Sequence, residues 1–332
     1  MATMKDVARH AGVSAATVCR VINNNVYVKP VTRERVETAM REFNYQHNVT
    51  AHAMAKRSGK TLGLLTGNLD DPFFSRMARG IEDTTRKARV QLVVCSGGHR
   101  AEQEKAGLDL LINQGCEAIV AHLPRMNEED ILRYAAHTPA LVVINRYLPI
   151  IANRYVWLDN VSAAQAATNQ LIQHGHRKIA CITADIPIDD RTHRVEGYRK
   201  AMDIAGIPVA DDWIISVPFN EHGGELAAEK LLQSGLNFTA LVTFNDVMAA
   251  GIMRTFHYHQ VRVPDEISLV GFDDIAWAKY LHPTLTTMHN PIEKMARRAA
   301  TLALQLNAGI VGLPQNNAYC AELIPRASVK QV

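Results

Sequence analysis

The chain has 332 residues, which is more than one hydrophobic core usually sustains, so we expect two or three domains. Apolar residues make up 47% and charged residues 21% of the sequence, which excludes a largely disordered protein, a collagen and a coiled coil. The net charge of +3 is unevenly divided, because residues 1–60 carry ten Lys and Arg against four acids. A basic head on a faintly acidic body indicates a module that binds a polyanion, attached to a different kind of domain.

Signals for export and for membrane insertion are absent from the sequence. No apolar run is long enough for a transmembrane helix, and the first residues lack the apolar stretch of a signal peptide. The five cysteines are scattered and contain no CxxC pair, which favours a reducing compartment and gives no disulfide framework. We therefore expect a cytoplasmic protein.

The first 46 residues show the pattern of three short helices. Apolar spacing predicts helices at Met4–Ala11, from Ala15 to about Ile22, and at Thr32–Asn44. Gly12 interrupts the first pattern, and Ser14 is a good N-cap for the second helix. Two short helices around a glycine turn, supported by a third, predict an all-α helix-turn-helix headpiece over residues 1–46.

The second helix is the candidate reader of DNA. Its exposed positions are predicted to be Ala15, Ala16, Thr17 and Arg20, which are placed to enter a major groove, and Arg20 suits a guanine edge or a phosphate. The alternative is a small basic three-helix domain whose charge serves solubility.

Residues 47–60 connect this headpiece to the body. Alanines at 51, 53 and 55 favour a helix, yet the segment is too short to be stable alone in water. A plain linker is the alternative. The run Gly59-Lys60-Thr61 does not form a phosphate-binding loop, because Met54 stands where that loop needs glycine and the predicted strand follows the run instead of preceding it.

From Thr61 onward, β-branched runs alternate with amphipathic helical patterns, which predicts parallel sheets covered on both faces. Some nine strands would make one sheet unusually wide, so we expect an α/β body of two doubly wound subdomains. We place one subdomain at about 61–158 and 290–320, and the other at about 159–289 and 321–332. The predicted strands are 62–65, 91–95, 118–122, 140–144, 178–183, 213–217, 240–244, 267–271 and 285–288, and the predicted helices lie near 74–88, 101–114, 162–174, 190–205, 222–234, 246–257 and 291–307.

Polar and aromatic residues follow many of these strands, where ligands bind in such sheets. Carboxylates and amides accept hydrogen bonds from vicinal hydroxyls, a guanidinium donates to ring oxygens, and a phenyl ring covers the apolar face of a pyranose. The set suits a neutral polyhydroxylated ligand, although any Asp after a strand also serves as a helix N-cap. The segments are 70–74, Asn145-Arg146, 185–194, Phe219, Asn245-Asp246 and 272–274.

Catalysis and metal binding find little support. The sequence contains no GxSxG, HExxH or Walker motif. The pairs His174/His176 and His257/His259 are spaced i, i+2, which puts the two side chains on different faces of a helix. We expect neither an enzyme nor a metal protein, and no cofactor.

The run from Met4 to Asn23, MKDVARHAGVSAATVCRVIN, resembles the signature of the LacI/GalR family of bacterial repressors, and is similar to its galactose-repressor-like branch. The likeness continues through Thr32–Val36 and Asn44-Tyr45 and through the whole body, which is similar to periplasmic sugar-binding proteins. The landmarks in the body are 174–179, 194–198, 244–251, 263–274, 285–287 and 325–329.

The resemblance implies a set of DNA contacts. Ala15, Ala16 and Arg20 match base-reading positions, and Cys19 stands where the family usually has a serine that touches phosphate. Residues 47–60 match a hinge helix that folds on specific DNA, in which Met54 replaces the usual leucine wedge in the minor groove. The full set of implied DNA contacts is Ser14, Ala15, Ala16, Thr17, Cys19, Arg20, Asn23, Tyr45, Asn48, Ala51 and Met54.

The resemblance also implies a homodimer on palindromic double-stranded DNA, and a small effector held between the subdomains that controls DNA binding. Helix 246–257 is expected to contribute Met248, Ile252 and Met253 to the dimer contact. We expect a sugar that acts as an inducer; a purine or nucleoside corepressor, or a cytoplasmic sugar-metabolising enzyme, is the alternative. The implied effector contacts are Phe74, Asn145, Arg194, Phe219, Asn245 and Asp273, with Asp70 and Asp189 as additional hydroxyl acceptors or helix caps.

Overall fold

The computed structural model describes residues 4–22, 28–43, 61–235, 237–312 and 317–332. The chain divides into two compact units, Met1–Gly59 and Lys60–Val332. Within the described ranges, no helix combines the length and the apolar character that crossing a membrane requires.

The described residues of the first unit form three helices, as the sequence predicts: α1 (Met4–His10), α2 (Ala15–Ile22) and α3 (Pro30–Glu42). The third begins at Pro30 rather than Thr32, because proline is favoured in the first turn of a helix. Gly12 has a φ of 63° between the first two helices, and a Cβ there would lie 2.8 Å from Nη2 of Arg35. Apolar residues of all three helices form the core, which consists of Val7, Ala8, Ala11, Val18, Val21, Val36 and Ala39.

The part of the second unit that the structure describes forms two six-stranded sheets, which confirms the prediction of two α/β subdomains. Every pairing of these strands is parallel except that of the last strand with its neighbour. The strands are β1 (Thr61–Thr66), β2 (Gln91–Ser96), β3 (Ala118–Ala121), β4 (Leu141–Ile144), β5 (Tyr155–Leu158), β6 (Ile179–Ala184), β7 (Ile214–Val217), β8 (Ala240–Thr243), β9 (Ser268–Phe272), β10 (Thr286–His289), β11 (Ala318–Tyr319) and β12 (Glu322–Ile324). The first sheet has the order β2-β1-β3-β4-β5-β11 and the second β7-β6-β8-β9-β10-β12.

Helices cover both faces of each sheet, and apolar side chains between the layers form the cores. The described helices of this unit are α4 (Pro72–Ala88), α5 (Ala101–Asn113), α6 (Glu128–His137), α7 (Asn160–Gln173), α8 (Asp189–Ile204), α9 (Glu221–Gln233), α10 (Asp246–Tyr258) and α11 (Ile292–Asn307).

The sequence prediction missed β5, β11, β12 and α6. Each of the three strands has only two to four residues, so none carries enough alternation to stand out from a loop. Helix α6 has ten residues and opens with Glu128, Glu129 and Asp130 after the N-cap Asn127, and that polar start conceals its short apolar face.

The chain passes between the two sheets three times: after β5, after β10, and between β11 and β12. The first two passages carry Asn160 and Asn290, which are buried. Because the strand ends of both subdomains face the gap that these passages span, the fold brings the residues after the strands together.

Candidate functional site

The described part of the headpiece presents one polar face on α2. Ser14, Ala15, Ala16 and Arg20 are exposed, whereas Val18 is buried on the opposite side. The Ser14 hydroxyl accepts from the backbone N–H of Thr17 at 3.2 Å and lies 3.0 Å from the Thr17 hydroxyl, so it caps the helix. The small side chains at 15 and 16 leave the backbone of this turn open to a close approach, and Arg20 extends from the next turn.

The remaining DNA contacts implied by the resemblance have no described geometry. Asn23, Tyr45, Asn48, Ala51 and Met54 lie outside the described residues, as does the side chain of Cys19.

A cleft between the subdomains is built from the residues that follow the strands. It has an outer chamber of about 490 Å³ and an inner chamber of about 40 Å³. The inner chamber is lined by Asp71, Phe73, Phe74, His99, His122, Asn145, Ile188, Asp190, Arg194, Phe219, Phe244, Asn245 and Asp273. The outer chamber is lined by Asn68, Asp70, Asp71, Pro72, Gly98, His99, Arg100, Arg125, Asp185, Ile186, Pro218, Phe219, Asn220, Glu221 and Val247.

Seven of the eight predicted effector residues therefore line the cleft, but they divide between its chambers. Asp70 lines only the outer chamber, and Phe219 lines both. Asp189 lines neither chamber; its carboxylate instead accepts from Nε of Arg146 at 2.9 Å. The inner chamber holds Phe74, Asn145, Arg194, Asn245 and Asp273 together with Phe219.

Arg194 is held rigidly by protein groups on three sides. Its Nε donates to Oδ1 of Asn160 at 2.8 Å, Nη1 donates to the Phe244 carbonyl, and Nη2 lies 3.8 Å from Oδ1 of Asp273. The guanidinium stacks on the Phe272 ring, 3.6 Å from its centroid. Burial raises the pKa of Asp273, and the Arg194 charge offsets part of that shift. A single guanidinium with fixed donors thus stands beside a buried carboxylate.

Asp190, which the sequence analysis did not select, takes the place inside the cleft that we expected for Asp189. Its carboxylate accepts from Nδ2 of Asn145 at 2.8 Å and from Nδ2 of Asn160 at 3.1 Å. Burial raises its pKa, and Arg194 opposes the shift. Helical periodicity was the missing signal, because Asp190 and Arg194 are four residues apart on one face of α8.

His99 and His122 also escaped the sequence analysis. Both rings pack on Phe74 and on each other, and the His99 ring also packs on Phe219, with centroid distances of 5.0–5.7 Å. Burial lowers the pKa of His99 to about 4 and that of His122 well below its usual value, so both imidazoles are neutral at physiological pH. Their Nδ1 atoms and Oδ1 of Asn145 are buried without a hydrogen-bond partner among the described residues. Buried polar atoms of this kind normally find a water or a ligand.

Two residues near the cleft act as helix caps. Asp71 accepts from the backbone N–H of Phe73 at 2.8 Å at the start of α4, and Asn245 accepts from that of Met248 at 2.8 Å at the start of α10. The Asn245 amide also donates to the Phe219 carbonyl at 3.1 Å. Asn245 therefore fixes Phe219 in the cleft wall.

Polar contacts join the subdomains around the cleft. Nη1 of Arg76 on α4 donates to the backbone carbonyls of Asp273 at 3.1 Å and Asp274 at 2.9 Å. Nη1 of Arg125 donates to the Pro187 carbonyl at 2.6 Å. Since these donors and acceptors belong to different subdomains, the contacts depend on the relative orientation of the two sheets.

The structure corrects the expected contribution of α10 to a dimer contact. Met248, Ile252 and Met253 are buried in the core of their own subdomain, so they are not available to pack on a second copy. The exposed side chains of the helix include Arg254, His257 and Tyr258. The apolar spacing of the helix correctly predicted which face is buried. That face packs on its own subdomain and not, as we expected, on a second copy of the chain.

Comparisons with protein families match both units of the chain. Residues 3–48 match the bacterial regulatory proteins of the lacI family, and residues 168–329 match a periplasmic binding protein-like domain. The HTH-type transcriptional regulator GalR of Escherichia coli (strain K12) is 40% identical over 330 residues, which cover 99% of this chain and 96% of that protein.

Two solved structures are similar to the fold described above. The lac repressor dimer bound to operator and the anti-inducer ONPF has a TM-score of 0.77 with 25% identity, and the match covers 99% of each chain. A sugar-binding transcriptional regulator of the LacI family from Escherichia coli, complexed with phosphate, has a TM-score of 0.73 and 30% identity, and the match covers 82% of this chain and 99% of that one.

Proposed function

The chain belongs to the LacI family of bacterial regulatory proteins and is a DNA-binding transcriptional regulator of the GalR type, and we propose that a small neutral sugar in its cleft controls its affinity for operator DNA. The sugar acts as an inducer in this proposal. Two parts of the chain support it: the exposed face of α2 and the polar cleft between the subdomains.

On the DNA side, α2 enters the major groove with Ala15, Ala16 and Arg20 toward the bases. Ser14 and Thr17 lie at the N-terminal end of the same helix, where phosphate contacts are favoured. A single helix-turn-helix unit gives little affinity, so two copies bind a palindromic operator. The lac repressor, a relative solved on its operator, is a dimer, and we propose the same assembly here. The contacts of Cys19, Asn23, Tyr45, Asn48, Ala51 and Met54 belong to this proposal as well.

The partnerless polar atoms of the inner chamber carry the sugar assignment. Nδ1 of His99, Nδ1 of His122 and Oδ1 of Asn145 are buried without partners in the described part of the chain, so a ligand with several hydroxyl groups would satisfy them. The side chains of His122 and Asn145 are only 5% and 6% exposed. A bound ligand in this position is shielded from water, where each such hydrogen bond contributes strongly to recognition.

The charges of the cleft favour a neutral ligand over an anion. Asp71, Asp190 and Asp273 line the inner chamber against one cation, Arg194. The charge of Arg194 is already offset by the Asp273 carboxylate, whose Oδ1 lies 3.8 Å from its Nη2, so a phosphate would find little uncompensated positive charge. Aromatic rings of Phe74 and Phe219 supply the apolar surface that a pyranose face needs.

The contacts between the subdomains supply the route from ligand to DNA. A sugar in the inner chamber touches both sheets, so it changes the balance among the cross-cleft contacts of Arg76, Arg125 and Asn145. The relative orientation of the subdomains then sets the separation of the two DNA-binding units in the dimer. Coupling of this kind is reciprocal: sugar weakens DNA binding by the factor by which DNA weakens sugar binding.

The test uses the full-length protein and an operator selected from a random DNA library. Fluorescence anisotropy measures the operator Kd alone and with neutral monosaccharides, neutral disaccharides, sugar phosphates and purines. We expect a neutral sugar to weaken operator binding by about 5- to 150-fold, the range of typical allosteric coupling. Because the aromatic rings of the cleft would also stack on a flat base, a purine is the alternative ligand. Tightened binding with a purine, and no effect of any sugar, would overturn the proposal.

A further inference from the structure

We propose that the outer chamber of the cleft is a subsite for the second unit of a two-unit ligand, so that the effector is a disaccharide or another glycoside rather than a free monosaccharide. This inference rests on the sugar-responsive function proposed above and names the class of sugar.

The volume of the cleft carries the first step. The inner chamber, at about 40 Å³, holds little more than a water molecule, whereas the outer chamber of about 490 Å³ is within the usual range for a ligand site. A sugar ring that reached the buried atoms of His122 and Asn145 would have to widen the inner chamber. The outer chamber would still have room for a second ring, so the size of the cleft fits a two-unit ligand.

A pair of rings separates the chambers and lines both. His99 of the first subdomain and Phe219 of the second pack edge to face, with centroids 5.0 Å apart. The backbone at Gly98 and His99 turns through positive φ angles of 53° and 55°, which directs the imidazole into the cleft. A Cβ at Gly67 would come within 2.7 Å of the His99 ring, so the glycine makes room for it. The rings stand where a glycosidic link would pass from one chamber to the other.

The walls of the outer chamber have the chemistry that a second sugar ring needs. Asn68 from the first subdomain and Asp185 and Glu221 from the second expose amide and carboxylate groups that accept from hydroxyls. Pro72 and Ile186 provide apolar surface for the face of a ring. The four carboxylates of the lining, Asp70, Asp71, Asp185 and Glu221, outnumber its two guanidinium groups, Arg100 and Arg125. This balance disfavours a phosphate ester relative to a neutral sugar or glycoside.

The experiment compares ligands that differ only in the second unit. Isothermal titration calorimetry on the full-length protein measures the Kd of galactose, methyl galactosides, lactose and melibiose, and of glucose, methyl glucosides, cellobiose and maltose. We expect at least one disaccharide to bind about tenfold or more tightly than the monosaccharide of its non-reducing end, a factor of the size that one or two added hydrogen bonds give.

Substitutions in each chamber show which chamber is responsible for the tighter binding of the disaccharide. Asn68→Ala and Asp185→Ala change only the outer wall, and we expect each to reduce the disaccharide advantage by about threefold to tenfold with no change in monosaccharide Kd. His122→Phe keeps a ring beside Phe74 but removes the inner-chamber nitrogens, so it should weaken both classes of ligand equally.

Three results would contradict this inference. Equal affinity for monosaccharides and disaccharides would overturn the subsite and leave sugar control intact. Loss of monosaccharide binding in Asn68→Ala and Asp185→Ala would also overturn it, because the two chambers would then be one site. Failure of every saccharide to bind would overturn both the subsite and the sugar-responsive function.

Discussion

Asn145 and Asp190 join the two subdomains inside the cleft, with Nδ2 of the amide donating to Oδ2 of the carboxylate at 2.8 Å. Asn145 follows β4 of the first sheet and has a positive φ of 60°, whereas Asp190 lies in the first turn of α8. The other oxygen of Asp190 accepts from Asn160, on the chain passage between the sheets. The Asp190 carboxylate thus binds both the residue that follows β4 in the first subdomain and a residue of the chain segment that connects the two subdomains.

Replacing Asp190 should therefore destabilise the body. Asp190→Ala leaves the side-chain amides of Asn145 and Asn160 without their acceptor, and we expect the free energy of unfolding to fall by about 1–3 kcal/mol. The neighbour Asp189 is the matched control. Its side chain is 45% exposed in its ion pair with Arg146, so Asp189→Ala should change stability by about 1 kcal/mol or less. Urea unfolding of the full chain measures both, and equal losses would show that the buried contact has no special role.

Arg20 should determine which operator the protein selects. The side chain is exposed on α2, where a bidentate contact to a guanine edge discriminates against other bases by about 1–3 kcal/mol. Arg20→Ala is therefore expected to reduce the preference for the selected operator over scrambled DNA by about tenfold to a hundredfold.

Arg9 provides the control for the Arg20 substitution. It is an exposed cation on α1 that pairs with Asp6, so Arg9→Ala removes the same charge from the headpiece without touching α2. We expect it to weaken binding to both DNAs by the same small factor. Anisotropy titrations at several salt concentrations compare the two variants, and unchanged discrimination in Arg20→Ala would place the recognition helix elsewhere.

The sequence was sufficient to predict the architecture because strand and helix patterns repeat throughout the body. It was also sufficient to identify most cleft residues, since the end of a parallel strand is a recognisable position. Asp189 and Asp190 show a limit of this approach, because position after a strand does not say which of the two lines the cleft. Both follow a strand and both are carboxylates, and only the helical face shared with Arg194 distinguishes the residue that lines the cleft.

His99 and His122 illustrate a second reason why the sequence did not reveal every residue of the cleft. They follow β2 and β3, which are separated by a whole helix, and their rings pack on each other, while His99 also packs on Phe219 of the second subdomain. No local sequence pattern predicts a contact between side chains that are so far apart in the chain. Likewise, apolar spacing predicts that Met248, Ile252 and Met253 are covered but does not say whether their own subdomain or a second copy covers them.

Arg194 and Asp273 should behave as a coupled pair. Both are buried, and Arg194→Met leaves the Asp273 carboxylate without the charge that opposes its desolvation. Removing one partner of such a pair typically lowers the free energy of unfolding by about 3–5 kcal/mol. The double variant Arg194→Met, Asp273→Asn removes both charges and should recover part of that loss. A double-mutant cycle by chemical denaturation measures the coupling energy between the two residues. Strictly additive effects would mean that the ion pair, with its 3.8 Å separation, contributes nothing to the free energy of unfolding.

Glu104 makes the stability of the body depend on pH. This side chain on α5 is 1% exposed and accepts from the backbone N–H groups of Arg125 and Met126, at 3.2 Å and 2.8 Å. Burial raises its pKa from 4.5 to about 7, against the opposing effect of these hydrogen bonds and of Arg146. Between these two pH values the native state binds a proton that the unfolded chain has released, so stability falls as the pH rises through this window.

Glu104→Gln should remove most of that dependence, because its amide stays neutral at every pH. Each unit of pKa shift corresponds to about 1.4 kcal/mol, so we expect the wild-type chain to lose on the order of 2–3 kcal/mol more of its free energy of unfolding than the variant between pH 4.5 and pH 7.

Asp71 also has a pKa raised to about 7 by burial, so the stability of both proteins should still fall somewhat as the pH rises. The exposed Glu102 lies on the same helix, and Glu102→Gln should leave the profile unchanged. Urea unfolding across this pH range measures all three proteins; parallel profiles for wild type and Glu104→Gln would mean that Glu104 is already ionised in the native state.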